Sequence, residues 1–361
     1  MKITHVVRGT EWMSSTPLHV ALYDAFKWTP PQFAHVGLLT DEEQNKLSKR
    51  NFDTDVRALR EKHGILPEAL TNFLALLGWR NPGRDDVMSL EQLVNAFDLK
   101  FTKGNTMVTL DKLWFLQRNH AAKRIAKIGK DDHIDKLDSL PADVSELVCL
   151  ISDTARKTCD LNQLNTVLGN RSLETHVTAI LSADPSNYEN PLSYIKRNSY
   201  FFSTTPSSPI TPRETFGTST YPIPRATLVQ RMSEIMLPAI RDEMKFWNEP
   251  GKNQVLKSPS SPNTQTLEDA NKVSLALLAS IADQFKGHTM SMATKAALAS
   301  PEPSWRVDDD PQKQREGWEK AWHSAIHAYM REKLAFGMPG PSSGVTLAVL
   351  GRKEALRRLE A

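Results

Sequence analysis

One change of pattern along the chain restricts its fold more than any other feature. The β-branched segment from Thr4 to Val7 leads through a loop into apolar residues with helical spacing from Leu18 to Phe26. This order of strand, loop and helix is the common unit of a parallel α/β sheet. After Arg50 the apolar spacing is helical almost throughout. The sequence therefore predicts a short α/β segment followed by a mainly α chain.

Residues that favour helix ends support this prediction. Pro67 opens one predicted helix at its first turn, and Gly78 stops it. Ser89 and Gln92 form a capping box ahead of the next helix. Further along the chain, one face of a long predicted helix carries Trp318, Trp322, Ile326 and Tyr329.

Composition excludes several classes of protein. The 361 residues carry 45 basic and 42 acidic side chains, a net charge that permits nucleic-acid binding but is too small for a purely basic binding module. No apolar run approaches the ~18 residues of a membrane span. Cys149 and Cys159 lack the spacing of a thiolate zinc site or a disulfide scaffold. A chain of this length predicts two or three domains.

A basic pentapeptide follows the second predicted strand, Phe33 to Leu39. It reads Lys46-Leu47-Ser48-Lys49-Arg50, with three cations and a hydroxyl on one loop. Such a loop suits the stabilisation of phosphate charge that develops during a reaction. The alternative is a solvated basic turn, because short motifs also occur by chance.

The sequence around Arg8 gives the pentapeptide a context. Val7 to Pro17 reads V-R-G-T-E-W-M-S-S-T-P, and Trp28 to His35 reads W-T-P-P-Q-F-A-H. Together with the loop, these segments closely resemble the glutamyl branch of the class I aminoacyl-tRNA synthetases. The resemblance implies that Arg8 meets the glutamate substrate. A mere ion pair at the sheet end is the alternative for Arg8, and we interpret His35 as structural.

The resemblance also implies the nucleotide site. In this family the lysine loop holds the phosphates of ATP, which assigns catalytic roles to Lys46, Ser48 and Lys49. The ATP-binding residues implied by the resemblance are Glu11, Trp12, Leu38, Leu39 and Lys49. The alternatives for Glu11 and Trp12 are a carboxylate at a helix entry and an indole at the rim of the core.

Later segments resemble the tRNA-binding parts of the same family. Residues 64–79 and 110–114 resemble its stem-contact helices, whereas 340–344 and 350–359 resemble the end of its anticodon-binding region. The tRNA-binding residues implied are Arg50, Pro341, Ser343, Arg357 and Arg358. Ser342 or Ser343 can cap the helix that follows the loop. The alternative for Arg357 and Arg358 is a solvated helix face.

The predicted fold is mainly α, with the end of a Rossmann-like nucleotide-binding domain followed by helical stem-contact and all-α anticodon-binding domains. The predicted domains are residues 1–52, 53–130 and 131–361. We predict that two Ser/Pro-rich segments, 182–225 and 248–265, are loops or insertions.

By this resemblance the expected function is that of a glutamate–tRNA ligase acting in organellar translation. Its expected partners are ATP with Mg²⁺, glutamate and tRNA(Glu), with tRNA(Gln) left open; no zinc and no membrane are expected, and the protein is expected to be a monomer. The Ser/Pro-rich segments and the bacterial-type body favour the mitochondrial matrix over the cytoplasm.

One signature of the family is missing. Its H-x-G-H motif precedes the Arg8 segment by a long distance, yet only seven residues precede Arg8 here. We therefore expect an N-terminally incomplete chain that is inactive by itself. The rival hypothesis is a non-catalytic tRNA-binding protein derived from a synthetase. His323 and His327 stand four residues apart, but no third ligand accompanies them, so they are interpreted as helix-face residues.

Overall fold

The computed structural model describes residues 3–41, 43–47, 56–61, 63–83, 85–98, 100–102, 104–129, 134, 137–243, 275–300 and 310–361. The predicted loop residues Ser48, Lys49 and Arg50, and the predicted insertion 248–265, lie outside these ranges. The described residues are mainly helical with three two-stranded sheets, which confirms the predicted fold class. None of the helices described is long and apolar enough to cross a membrane.

One compact unit comprises Met1–Lys123 and Ser186–Asn190. It begins with strand β1 (His5–Gly9), helix α1 (Thr16–Ala25) and strand β2 (Gln32–Val36). β1 and β2 pair in parallel, with Arg8 opposite His35. The predicted strand, loop and helix of a parallel sheet is therefore confirmed.

In the described residues, the rest of this unit contains a short sheet and four α-helices. The remaining elements are β3 (Leu39–Thr40), α2 (Val56–Glu61), α3 (Pro67–Leu76), α4 (Leu90–Ala96), β4 (Thr106–Met107) and α5 (Leu110–Ile125). β3 and β4 pair in parallel. Pro67 lies in the first turn of α3, and Gly78, just beyond its end, has φ +79°. Ser89 and Gln92 form both bonds of the predicted capping box. Phe73 and Leu113 are buried in the core between the helices.

The second unit comprises Arg124–Pro185 and Pro191–Ala361. Its α-helices and strands in the described residues are α6 (Ala142–Thr158), α7 (Leu161–Leu168), α8 (Leu173–Ala183), α9 (Pro191–Arg197), β5 (Thr215–Gly217), β6 (Pro222–Pro224), α10 (Arg225–Arg231), α11 (Leu275–Leu298), α12 (Pro311–Ala335), α13 (Ser343–Leu350) and α14 (Arg352–Glu360). α11, α12 and α13 pack against one another. The predicted apolar face of α12 is buried, including Trp318 and Tyr329.

The sequence predicts a loop or an insertion at 182–225, and the loop alternative is wrong. This segment contains α9 and the antiparallel pair of β5 and β6. Tyr194 and Tyr200 are fully buried, and the hydroxyl of Tyr194 donates to the carbonyls of Ile180 and Asp184. The aromatic residues anchor the segment in the core despite its Ser/Pro-rich composition.

Candidate active site

Arg8 lies near the carboxyl end of β1, and its guanidinium is held by three side chains. Nε lies 3.3 Å from Nε2 of His35, Nη1 lies 3.0 Å from Nδ1 of His19, and Nη2 donates to Oγ1 of Thr16 at 2.8 Å. His35 reaches Arg8 because the parallel register places the two residues opposite each other. Thr16 and His19 are three residues apart on α1, so they share one face of that helix.

Aromatic rings complete the surroundings of this guanidinium. Its central carbon lies 4.8 Å from the ring centroid of Phe33 and 5.7 Å from that of Trp12. Among the described residues no carboxylate forms an ion pair with Arg8. The positive charge is therefore surrounded by imidazole and hydroxyl groups and by ring faces, and the alternative of a sheet-end ion pair does not hold for these residues.

The nearest carboxylate along the chain has a different partner. Oε1 of Glu11 lies 2.9 Å from Nζ of Lys46, the first residue of the lysine loop. This hydrogen bond from Lys46 holds the pKa of the Glu11 carboxyl below its usual value. The Glu11 side chain folds back over Gly9, where an added Cβ would lie only 1.9 Å from Oε2. Glycine at position 9 thus allows the carboxylate to reach Lys46.

The backbone of Lys46 is fixed by a tight turn. Thr40 and Lys46 form an antiparallel bridge, and the N–H of Leu47 donates to the carbonyl of Leu39 at 2.9 Å. Within the turn, the N–H of Asn45 donates to Oδ1 of Asp41 at 2.7 Å. The first lysine of the loop is therefore attached to β3 and directed towards the segment that follows β1.

The other predicted nucleotide-binding residues lie around this pair. Trp12 follows Glu11 directly and keeps 49% of its surface exposed, so its indole is not buried in the core. The N–H of Leu38 donates to Oδ1 of Asn105, and Leu39 is 38% exposed. Lys46 is brought to Glu11, whereas Ser48 and Lys49 lie outside the described residues.

A cavity of about 360 Å³ separates α1 from the sheet beside Arg8. Its lining is apolar except for Arg8 and His19, and it includes the rings of Tyr23, Trp28 and Phe33. Thr16 and His19 are not among the residues that the sequence pattern predicts for this site. Helical spacing places both residues on one face, but only the packing of α1 against β1 shows that this face meets Arg8.

The predicted anticodon loop, residues 340–344, is hydrogen-bonded to α12. Ser342, rather than Ser343, caps α13, because its Oγ accepts from the N–H of Val345 at 3.4 Å. Ser343 is only 4% exposed, and its hydroxyl donates to the carbonyl of His327. Arg331 donates to the carbonyl of Pro341. Pro341 stays partly accessible, but the Ser343 side chain faces the protein interior and is not available to RNA.

The two adjacent arginines of α14 have different environments. Arg358 is 3% exposed and donates to Glu354, to the carbonyls of Tyr200 and Ser203 at 2.8 Å each, and to that of Leu334. These bonds and its burial exclude the predicted contact of Arg358 with tRNA. Arg357 pairs with Glu354 on its outer side, and its side chain is 43% exposed.

No group of three or more possible metal ligands (His, Cys, Asp or Glu) is found in the part of the chain that the structure describes. His323 and His327 have ring centroids 4.6 Å apart on one face of α12. Burial lowers the pKa of His327, and the neighbouring His323 contributes to the shift.

Comparison with known families identifies the first third of the chain. Residues 1–115 match the family model for the catalytic domain of class I tRNA synthetases of the E and Q type. A mitochondrial glutamate–tRNA ligase of Schizosaccharomyces pombe is 42% identical over 138 residues, which are 38% of this chain and 26% of that protein. The mitochondrial enzyme of Saccharomyces cerevisiae is 48% identical over 132 residues, 35% of this chain and 24% of that protein. The chain thus matches about a quarter of the length of these curated relatives.

The similarity in structure extends further than the similarity in sequence. A crystal structure of the glutamate–tRNA synthetase of Elizabethkingia anophelis matches all of this chain and 56% of its own, with a TM-score of 0.56 and 19% identity. A glutamate–tRNA ligase structure from Elizabethkingia meningosepticum matches with a TM-score of 0.51, also at 19% identity. At this identity the match concerns the fold.

Proposed function

This chain belongs to the glutamyl-tRNA synthetase family, and from that premise we propose that it forms part of a glutamate–tRNA ligase. The observation that carries the proposal is the pairing at the end of β1. Arg8 keeps an unneutralised charge, while Glu11 in the following turn binds Lys46 of the lysine loop. The site therefore places a cation for an anionic substrate beside a second cation for phosphate.

Arg8 has the right donors for the glutamate carboxylate. A guanidinium carries five N–H groups, and the contacts to His35, His19 and Thr16 use three of them. One N–H on each terminal nitrogen remains, and two N–H groups of a guanidinium can bind a carboxylate in a bidentate manner. We propose that Arg8 binds a carboxylate of glutamate through these two groups.

The lysine loop would serve the first chemical step. An oxygen of the glutamate α-carboxylate attacks the α-phosphorus of ATP, and the bond to pyrophosphate breaks, which leaves glutamyl-adenylate. Lys46 and Lys49 would neutralise the charge that develops on the phosphates, which Mg²⁺ also binds. In the second step a hydroxyl at the tRNA 3′ end attacks the acyl carbon, and AMP leaves.

The helical parts would bind tRNA. We propose residues 1–52 as the end of the catalytic domain, 53–130 as the stem-contact domain and 131–361 as the anticodon-binding region. Arg50, Pro341 and Arg357 remain proposed tRNA contacts, with tRNA(Glu) as the partner. The exposed side chain of Arg357 supports this role.

Localisation in mitochondria is proposed on the names of the two yeast relatives, both of which are mitochondrial ligases. We also propose that these 361 residues alone do not catalyse adenylation. In the described residues β1 and β2 form a sheet of only two strands, and parallel sheets in nucleotide-binding domains are larger and covered on both faces.

The test is glutamate-dependent exchange of pyrophosphate into ATP. It is measured on the full-length protein, meaning the complete gene product that contains these 361 residues. Glutamate should support exchange, and Arg8→Lys, which keeps the charge but not the fork of donors, should raise the KM for glutamate by at least about tenfold. Glutamine in place of glutamate is the substrate control. Exchange that is absent in the parent protein, or equal with glutamine, would refute the proposed function.

A further inference from the structure

We infer that His19 and His35 are positioning residues for Arg8, which they orient as neutral hydrogen-bond acceptors without cancelling its charge. The inference rests on the proposed function, because its consequence is the readiness of Arg8 for an anionic substrate. It follows from the partners of one guanidinium and from the chemistry of the imidazole ring.

The contacts determine the protonation state of both rings. All five hydrogens of a guanidinium are donors, so a ring nitrogen that faces it closely must accept. Nδ1 of His19 and Nε2 of His35 therefore carry no proton, which leaves the proton on Nε2 of His19 and on Nδ1 of His35. Each ring is neutral in this arrangement. A proton on Nδ1 of His19 or on Nε2 of His35 would place an N–H donor opposite an N–H donor of Arg8. In a doubly protonated ring it would also place a positive charge opposite the guanidinium.

The third acceptor fits the same scheme. The hydroxyl oxygen of Thr16 lies 2.9 Å from the carbonyl of Trp12 and 3.1 Å from Nε2 of His35, and its one hydrogen donates to one of these two acceptors. The oxygen is thereby free to accept from Nη2 of Arg8. Glu11, the carboxylate three residues after Arg8, is bound by Lys46. Among the described groups, the partners of Arg8 are thus all uncharged.

The acceptors come from the two elements that pack against β1. His35 is the register partner of Arg8 on β2, and Thr16 and His19 lie on the inner face of α1. The guanidinium is therefore held from two sides by a sheet and a helix, with the ring of Phe33 stacked 4.8 Å away. Such a set fixes orientation, because each ring nitrogen has a single direction for its hydrogen bond.

A carboxylate in the place of either histidine would hold the arginine equally well. It would also neutralise the guanidinium and weaken its attraction for a substrate anion. Imidazole supplies the hydrogen bond without the negative charge. The two histidines therefore separate the orientation of Arg8 from the neutralisation of its charge.

The first test does not depend on catalysis. In the 361-residue chain with ¹⁵N-labelled histidine, long-range ¹H–¹⁵N spectra at neutral pH report which ring nitrogen is protonated, and single-histidine variants assign the signals. We expect His19 to be protonated on Nε2 and His35 on Nδ1. A proton on Nδ1 of His19, or on Nε2 of His35, would overturn the inference whether or not the protein is a ligase.

The second test measures exchange in the full-length protein with matched variants. His19→Phe keeps a ring beside Trp12, whose centroid lies 6.2 Å from that of His19, but it removes the acceptor. His19→Asn keeps an acceptor oxygen near the position of Nδ1. We expect His19→Phe to raise the KM for glutamate about tenfold, as for a lost bond to a charged group, with little change in the KM for ATP.

The matched variant and the parent protein distinguish a failure of this inference from a failure of the proposed function. His19→Asn should stay close to the parent value, and His35→Gln should behave in the same way. An unchanged glutamate KM in His19→Phe would overturn the inference. A parent protein with no glutamate-dependent exchange would instead refute the proposed function, and the ring protonation would then decide the inference alone.

Discussion

The ammonium of Lys46 lies 2.9 Å from the carboxylate of Glu11, and this contact joins the lysine loop to the segment that follows β1. Both side chains are well exposed, so the pair contributes little to the stability of the fold. Its importance is geometric, because it holds Lys46 against the turn that follows Arg8.

The first prediction concerns Gly9. In Gly9→Ala the new Cβ would lie 1.9 Å from Oε2 of Glu11, so the carboxylate must move away from Lys46. Because φ of Gly9 is −66°, alanine fits the backbone, and the melting temperature should hardly change. Exchange should fall by several-fold, as it should in Glu11→Gln. Combining the two changes should add nothing, and additive losses would show that Gly9 acts by another route.

The second prediction concerns Lys49, whose role is implied by the family resemblance. Lys49→Ala in the full-length protein should lower the rate constant of adenylation by about 10² to 10³, the scale of losing one preorganised donor to the transition state. Single-turnover kinetics measure this step. Lys157→Ala, at an exposed position of α6, is the control. An unchanged adenylation rate would show that the lysine loop is only a solvated turn.

The third prediction separates the two arginines of α14. Arg358→Gln leaves the buried carboxylate of Glu354 without one of its two partners and should destabilise the fold by about 3 to 5 kcal/mol. Arg357→Gln should cost far less stability and should instead weaken tRNA binding with a smaller salt dependence. Denaturant unfolding and binding titrations at several salt concentrations measure both effects. Equal loss of stability in the two variants would contradict the assignment.

The fourth prediction concerns pH and His176. This ring is fully buried, and burial, together with the nearby charge of Arg171, lowers its pKa to about 3. Its folded-state pKa therefore lies below the unfolded value near ~6.5, so the unfolded state binds the proton first as the pH falls. Stability should decrease below that pH by up to about 1.4 kcal/mol per pH unit.

A matched variant isolates this effect. Nε2 of His176 lies 2.8 Å from the carbonyl of Phe201, and glutamine in its place keeps an N–H donor that does not titrate. Urea unfolding between pH 7 and pH 5, at about half-unit steps, should give a flatter profile for His176→Gln than for the parent protein. Parallel profiles would show that His176 does not control the acid sensitivity of the fold.

Local signals made much of the fold predictable. The capping box of Ser89 and Gln92, the opening proline of α3 and the apolar face of α12 depend on residues close in sequence. The strand, loop and helix around α1 were predicted on the same basis. Such features can be predicted without knowing which helices and strands pack against each other.

The remaining features depend on contacts between distant residues. His35 meets Arg8 only through the register of two strands, and the burial of Arg358 depends on carbonyls of residues 200 and 203. The aromatic anchors Tyr194 and Tyr200 lie in a segment whose proline and serine content predicts a loop. Charge and composition therefore gave the chemistry of single residues, while their exposure and partners came from the tertiary structure.

The sheet formed by β1 and β2 has a practical consequence for work with the isolated chain. In the described residues both strands are edge strands, and Val7, Leu18 and Phe26 nearby are each more than half exposed. Edge strands with unpaired backbone groups are templates for pairing with another chain. A purified 361-residue polypeptide should therefore self-associate as its concentration rises, and a solubilising fusion partner belongs next to β1 rather than at the far end of α14.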